Sequence, residues 1–182
     1  TGDPAMTRFL KLAVPLFAVA LLLGLATLTQ AEDKTNADIT LDGVSLGTHV
    51  LGPELKTDDL KGKVVVFEYW GDRCPPCIAS IPGLVKLRGD YDYDKVAVVA
   101  NQVWTKEAAA TKKAWEKAGG DDSVTVVNHG SLKGANHRGV PHAYILDHNG
   151  KKIWEGNPHP RADGKEMKKT IKKAVEALPD QA

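Results

Sequence analysis

Long stretches of the chain switch between two hydrophobic rhythms. VVVFEYW, from Val64 to Trp70, and VAVVANQV, from Val96 to Val103, are almost unbroken apolar runs rich in β-branched residues, the pattern of strands buried on both faces. Between them, Ile78, Ile81, Leu84, Val85 and Leu87 recur at helical spacing and Gly89 closes the segment. TKEAAATKKAWEKAGG, residues 105 to 120, is dense in strong helix formers, offers Thr105 as an N-cap and stops at two glycines. Strand, helix, strand, helix predicts an α/β domain with parallel pairing through crossovers. VTVV at Val124 to Val127 adds a short strand before the irregular stretch NHGSLKGANHRG.

The two ends of this region read differently. ADITLDGVSLG alternates Ile39, Leu41, Val44 and Leu46 around Asp42 and Gly43, which predicts a small opening hairpin. HAYILD (His142 to Asp147) and KIWEG (Lys152 to Gly156) flank Asn149-Gly150, so they predict an antiparallel hairpin whose two central turn residues both have positive φ. A last helix is expected from Ala162 to Leu178, burying Met167, Ile171, Ala174, Val175 and Leu178 and turning its lysines outward. The sequence contains no internal repeat.

The first 36 residues follow neither rhythm. TGDPA, residues 1 to 5, resembles an expression scar, and residues 6 to 31 read as an export signal: Arg8 and Lys11, then an apolar run from Leu12 to Leu28, then Thr29 and Ala31 as small residues around a cleavage point. The run is slightly short for a membrane span and is interrupted by Pro15 and Gly24, so cleavage is expected, with a retained anchor as the alternative. EDKTN, residues 32 to 36, reads as a linker, which leaves one domain at 37 to 182. The expected location is exported and periplasmic, free or held at the membrane only by the N-terminal segment. Of 24 basic and 23 acidic side chains, Arg8, Lys11 and Asp3 fall in the removed part, so the remainder is neutral, which argues against nucleic-acid binding.

Cys74 and Cys77, in WGDRCPPCIASIP, are the only cysteines. A disulfide closing so short a loop constrains the unfolded chain little, so a structural staple fits poorly. Structural zinc needs four ligands, and none of the six histidines forms a tight pair at ligand spacing; no metal site and no cofactor are expected. A redox couple remains. The pair stands where a buried strand gives way to a helix, a place that stabilises a thiolate, so Cys74 is expected to attack and Cys77 to resolve. Pro75 and Pro76 suit a first helical turn and fix the sulfur spacing.

LKGKVVVFEYWGDRCPPC (60 to 77) and RGVPHAYILDHNGKKIWEG (138 to 156) resemble secreted thioredoxin-like proteins of the TlpA and ResA type. The resemblance implies a thioredoxin fold, a central mixed sheet flanked by helices with an N-terminal β-hairpin and a central αβ insertion. It implies a thiol:disulfide oxidoreductase, with reduction of protein disulfides favoured over oxidation or isomerisation. It also implies protein disulfides or dithiols as substrates, a membrane protein as electron donor, a monomer, and cytochrome c maturation as one pathway.

By the same resemblance the Val140-Pro141 bond is cis and shapes the substrate surface, although Pro141 also fits a strand-start proline. Glu68 matches a buried acid that exchanges a proton with the second cysteine, although an outward, solvated glutamate also fits the sequence. Trp70 matches an aromatic below the site. Arg73 stands where most relatives carry tryptophan; it is expected to favour the Cys74 thiolate, with Asp72 opposing it or pairing with it. Trp104, Trp115 and Trp154 are expected to be core or half-buried packing residues. Two other classes compete: a peroxidase, disfavoured by the CPPC pair at a helix start, and a copper(I)-binding or protein-binding module using both thiolates with His142.

Overall fold

The computed structural model describes residues 39–179. The scar, export signal and linker expected in residues 1–36 lie outside the described residues, and no helix among those described is long and apolar enough to cross a membrane.

The described residues form eight strands: β1 (Val44–Ser45), β2 (Thr48–Leu51), β3 (Val64–Trp70), β4 (Val96–Gln102), β5 (Thr125–Asn128), β6 (Ser131–Leu132), β7 (His142–Leu146) and β8 (Lys152–Gly156). Three α-helices accompany them among the described residues: α1 (Pro75–Gly89), α2 (Ala108–Lys117) and α3 (Gly164–Glu176). Six strands form one mixed sheet in the order β2-β5-β4-β3-β7-β8. β3, β4 and β5 run parallel, joined through α1 and α2, while β2, β7 and β8 pair antiparallel. The two long apolar runs lie at its centre, and every residue of β3 and β4 is buried, as their unbroken hydrophobicity requires.

The sheet separates two cores. On one face, Val64, Val66 and Trp70 meet Cys77, Ile81 and Leu84 of α1, Trp115 of α2, and Met167 and Ile171 of α3. On the opposite face, with Val65, Phe67 and Tyr69, the described residues supply 3-10 turns at Leu41–Gly43 and Thr57–Leu60 and the short β1·β6 pair, which cover it with Ile39, Leu41, Leu60 and Leu132.

Four sequence expectations change. The opening hairpin is absent: β1 pairs with β6, β2 pairs with β5, and Asp42-Gly43 forms a 3-10 turn. The alternation there reports burial of Ile39, Leu41 and Val44 against the sheet rather than mutual pairing. The β7–β8 hairpin is present, but only Gly150 has positive φ. Its N–H donates to the Asp147 carbonyl, and Asp147 Oδ1 accepts from the Asn149 and Lys151 amides, so a longer loop replaces the two-residue turn. Helix α2 starts at Ala108 because the Gln102 side chain takes the Trp104 and Thr105 amides and holds that segment outside the helix; Thr105 caps nothing. The last helix is shorter than expected, Gly164–Glu176.

Candidate functional site

β3 delivers the chain to the cysteines, and the first turn of α1 arranges them. Cys74 is the N-cap of α1, and Pro75 and Pro76 follow in the first turn without an N–H to offer. The first amide of the helix is therefore that of Cys77, and it donates to Cys74 Sγ at 3.2 Å. The next, Ile78, donates to the Cys74 carbonyl at 3.0 Å. The helix N-terminus thus aims its free donor at one sulfur, an arrangement that favours negative charge there.

The two cysteines are joined by a disulfide, with Cα atoms 5.2 Å apart. Cys77 is fully enclosed, whereas Cys74 keeps 4% of its surface exposed. Cys74 Sγ lies 3.6 Å from the carbonyl oxygen of Val140, and the Val140–Pro141 peptide is cis. Two segments 66 residues apart in sequence therefore meet at the less enclosed cysteine.

Glu68 has no exposed surface and is linked through the Ser80 hydroxyl to the Cys77 carbonyl. Its cross-strand neighbours are Ala100 on β4 and Ala143 on β7, small apolar residues that give the carboxyl nothing polar to bind. Burial pushes its pKa up to about 8, and the Ser80 hydroxyl, donating to Oε1 at 3.0 Å, opposes this. Oε2 has no partner. Glu68 also lies at the edge of a cleft of about 230 Å³ between α1 and α3, lined by Ser80, Leu84, Pro158, Met167 and Lys168 among others.

The remaining expected residues separate. Trp70 is buried and packs against Trp115, with ring centroids 5.6 Å apart. The Arg73 side chain is 79% exposed, and its nearest charge is Asp72 at 3.8 Å. Trp154 is half-buried and Trp115 is core, but Trp104 is exposed, contrary to expectation. Its ring covers Gly71, where a Cβ would come within 2.5 Å of it, and with Arg73 and Val103 it lines an open recess beside the cysteine loop. His142, named above for a copper site, stacks on His137 with centroids 5.5 Å apart. Among the described residues, no group of three or more His, Cys, Asp and Glu side chains is placed to hold a metal.

Two site residues, Ser80 and Trp104, escaped the sequence reading. Ser80 breaks the apolar stripe of α1 one turn after Cys77, and Trp104 follows the C-terminal end of a parallel strand, where α/β folds place their sites. Both signals were legible.

No family model matches the chain. Over 49 residues it is 37% identical to the thiol-disulfide oxidoreductase ResA of Halalkalibacterium halodurans, covering 27% of this chain and 28% of that protein. Over 102 residues it is 31% identical to the thioredoxin-like protein YneN of Bacillus subtilis, covering 54% of this chain and 59% of that protein. The chain thus matches well under two thirds of either relative's length. Among solved structures, a thiol-disulfide isomerase from Corynebacterium glutamicum shares the fold, with a TM-score of 0.59 and 20% identity over 72% of this chain and 94% of that one. These matches make the chain similar to thioredoxin-like thiol-disulfide proteins over part of its length, and the solved structure shows that it shares the thioredoxin-like fold.

Proposed function

We propose that the protein is a thiol:disulfide oxidoreductase that reduces protein disulfides. The observation that carries this reading is the Cys77 amide directed at Cys74 Sγ, on a sulfur that also faces the Val140-Pro141 loop. In the reduced protein, the Cys74 thiolate attacks one sulfur of a substrate disulfide, forming a mixed disulfide and releasing the other substrate sulfur as a thiolate that takes up a proton. Glu68 accepts the proton of the Cys77 thiol, and the Cys77 thiolate then attacks Cys74 Sγ and expels the second substrate sulfur. Two electrons pass from the dithiol to the substrate, and the Cys74–Cys77 disulfide remains.

Val140 and Pro141 supply the surface on which the substrate backbone lies beside Cys74. Pro75, Pro76 and Trp70 hold the sulfurs in place, while Arg73, exposed to solvent, adds a weak, salt-screened bias toward the thiolate. The reductant is a membrane protein that reaches the domain in the periplasm. The domain acts there as a monomer, exported by residues 6–31, which are either cleaved or kept as an anchor. Reduction of cytochrome c precursors is one task this would serve.

Turnover of insulin disulfides by the reduced protein tests the activity, and its reduction potential against glutathione tests the direction. Cys74→Ser should abolish turnover, and the potential should lie at or below about −220 mV, in the range of reducing thioredoxin-fold proteins. A potential near that of the strongly oxidising members, about −120 mV, would reverse the direction; turnover by Cys74→Ser would remove the nucleophile.

A further inference from the structure

The proton exchange just described rests on Glu68, yet Glu68 has a single hydrogen-bond donor among the described residues. Ser80 Oγ lies 3.0 Å from Glu68 Oε1 and 2.8 Å from the carbonyl oxygen of Cys77, and Ser80 is 96% buried, with 4% of its surface exposed. A hydroxyl carries one proton and can accept as well as donate. The Cys77 carbonyl can only accept. Two arrangements are therefore available. With Glu68 protonated, the carboxyl O–H donates to Ser80 Oγ while the Ser80 proton goes to the Cys77 carbonyl. With Glu68 ionised, the Ser80 proton turns to Oε1.

We propose that Ser80 is a positioning residue for thiol-disulfide exchange, its hydroxyl turning from the Cys77 carbonyl to Glu68 and so making the ionised carboxylate accessible. The proposal rests on the acid-base reading of Glu68. The cost of turning is small, because the Cys77 carbonyl lies within α1 and keeps the helical donor four residues on. The gain is larger, because a hydrogen bond to a buried carboxylate is charge-assisted and leaving that charge without a donor is costly.

Among the described residues, no other side chain is hydrogen-bonded to Glu68. β4 and β7 present Ala100 and Ala143, and α1 presents Cys77 and Leu84 on the same face. From α3, Lys165 and Lys168 line the same cleft, but no ion pair joins either to Glu68, and neither contributes to its raised pKa. Neither a second carboxylate nor a histidine lines that cleft. In the proposed step the Cys77 thiol gives its proton to the Glu68 carboxylate, leaving a Cys77 thiolate and a neutral Glu68. After the disulfide closes, Glu68 returns the proton to water through the cleft, and Ser80 turns back to meet the renewed charge.

The test compares wild type, Glu68→Gln, Ser80→Ala and Ser80→Thr in single-turnover reduction of insulin by the pre-reduced protein across pH 5 to 10. In parallel, the infrared band of the protonated carboxyl is followed against pH in the oxidised protein. Glu68→Gln should remove both the band and the kinetic limb near pH 8. Ser80→Ala should move both midpoints up by about one pH unit and slow the reaction about tenfold below the limb, and Ser80→Thr should return both toward wild type. Should the alanine chain fail to fold, the infrared band of the wild-type protein carries the test: the protonated carboxyl should absorb at the lower frequency of an acid hydrogen-bonded to Ser80, and a band at the frequency of a free acid would overturn the role of Ser80. Wild-type midpoints in the hydroxyl-free variant, with the limb still lost in Glu68→Gln, would overturn the role of Ser80 and leave that of Glu68 intact. A limb that persists in Glu68→Gln would overturn both.

Discussion

Glu68 and Tyr69 are neighbours on β3, pointing to opposite faces of the sheet, and each buries a polar group. The Tyr69 hydroxyl accepts the Leu132 amide at 2.9 Å, and its ring packs against His137, with centroids 4.2 Å apart. Burial pushes its pKa up to about 12, beyond any working pH. Glu68 has one donor, on Oε1, and none on Oε2, and burial leaves its pKa at about 8, where a proton can come and go. One face uses a buried polar group to pin a distant segment to the sheet; the other leaves a buried acid half-satisfied, linked through Ser80 to the Cys77 carbonyl. Burial alone does not separate structural from chemical groups. Partner number and the resulting pKa do.

Removing the Glu68 charge should have the largest effect on stability. Its folded pKa lies above the ordinary carboxylate value of 4.5, so between about pH 4.5 and 8 the native state holds a proton that the unfolded chain releases. The stability it contributes is fully present below that window and is lost as pH rises through it, by about 1.4 kcal/mol per pH unit. Denaturant unfolding from pH 5 to 8 should therefore show wild type losing roughly 4 kcal/mol relative to Glu68→Gln. Parallel curves for the two proteins would place the carboxylate in water and erase the contrast.

Tyr69→Phe should cost less, about 1 to 3 kcal/mol, by leaving the Leu132 amide buried without its acceptor. Its cost should not vary between pH 5 and 8, and insulin turnover should keep the wild-type pH profile. A displaced profile would show that the second face also takes part in the chemistry. Arg73→Ala should have the smallest effect. With its side chain 79% exposed and paired only at 3.8 Å, Arg73 should move the reduction potential by no more than about 10 mV, equivalent to about 0.5 kcal/mol. A shift of 30 mV or more would make this exposed cation a principal determinant of the couple.

Much of the site could be read before the fold was known. The apolar runs predicted the central parallel strands because a strand covered on both faces has no polar side to show, and Glu68 stood out as an acid inside such a run. The helix start at the CPPC pair was legible from its prolines. The opening segment misled, because alternation reports that one side is buried and not which strand covers it; Val44 meets Leu132, 88 positions later. In the sequence Trp104 reads as a packing residue because hydrophobicity gives no direction; in the fold it is exposed and its ring lies on Gly71. Ser80 shows in the sequence only as a break in the apolar stripe of α1, and what it faces becomes visible only once the strand beneath it is placed.

The attack by Cys74 is the centre of the account. The most direct test mixes reduced Cys77→Ser protein with insulin, quenches the mixture with acid and maps the covalent adduct by peptide mass. A mixed disulfide between Cys74 and an insulin cysteine, absent when Cys74 is also replaced by serine, is the predicted result. No adduct under conditions where the wild-type protein reduces insulin would contradict the account.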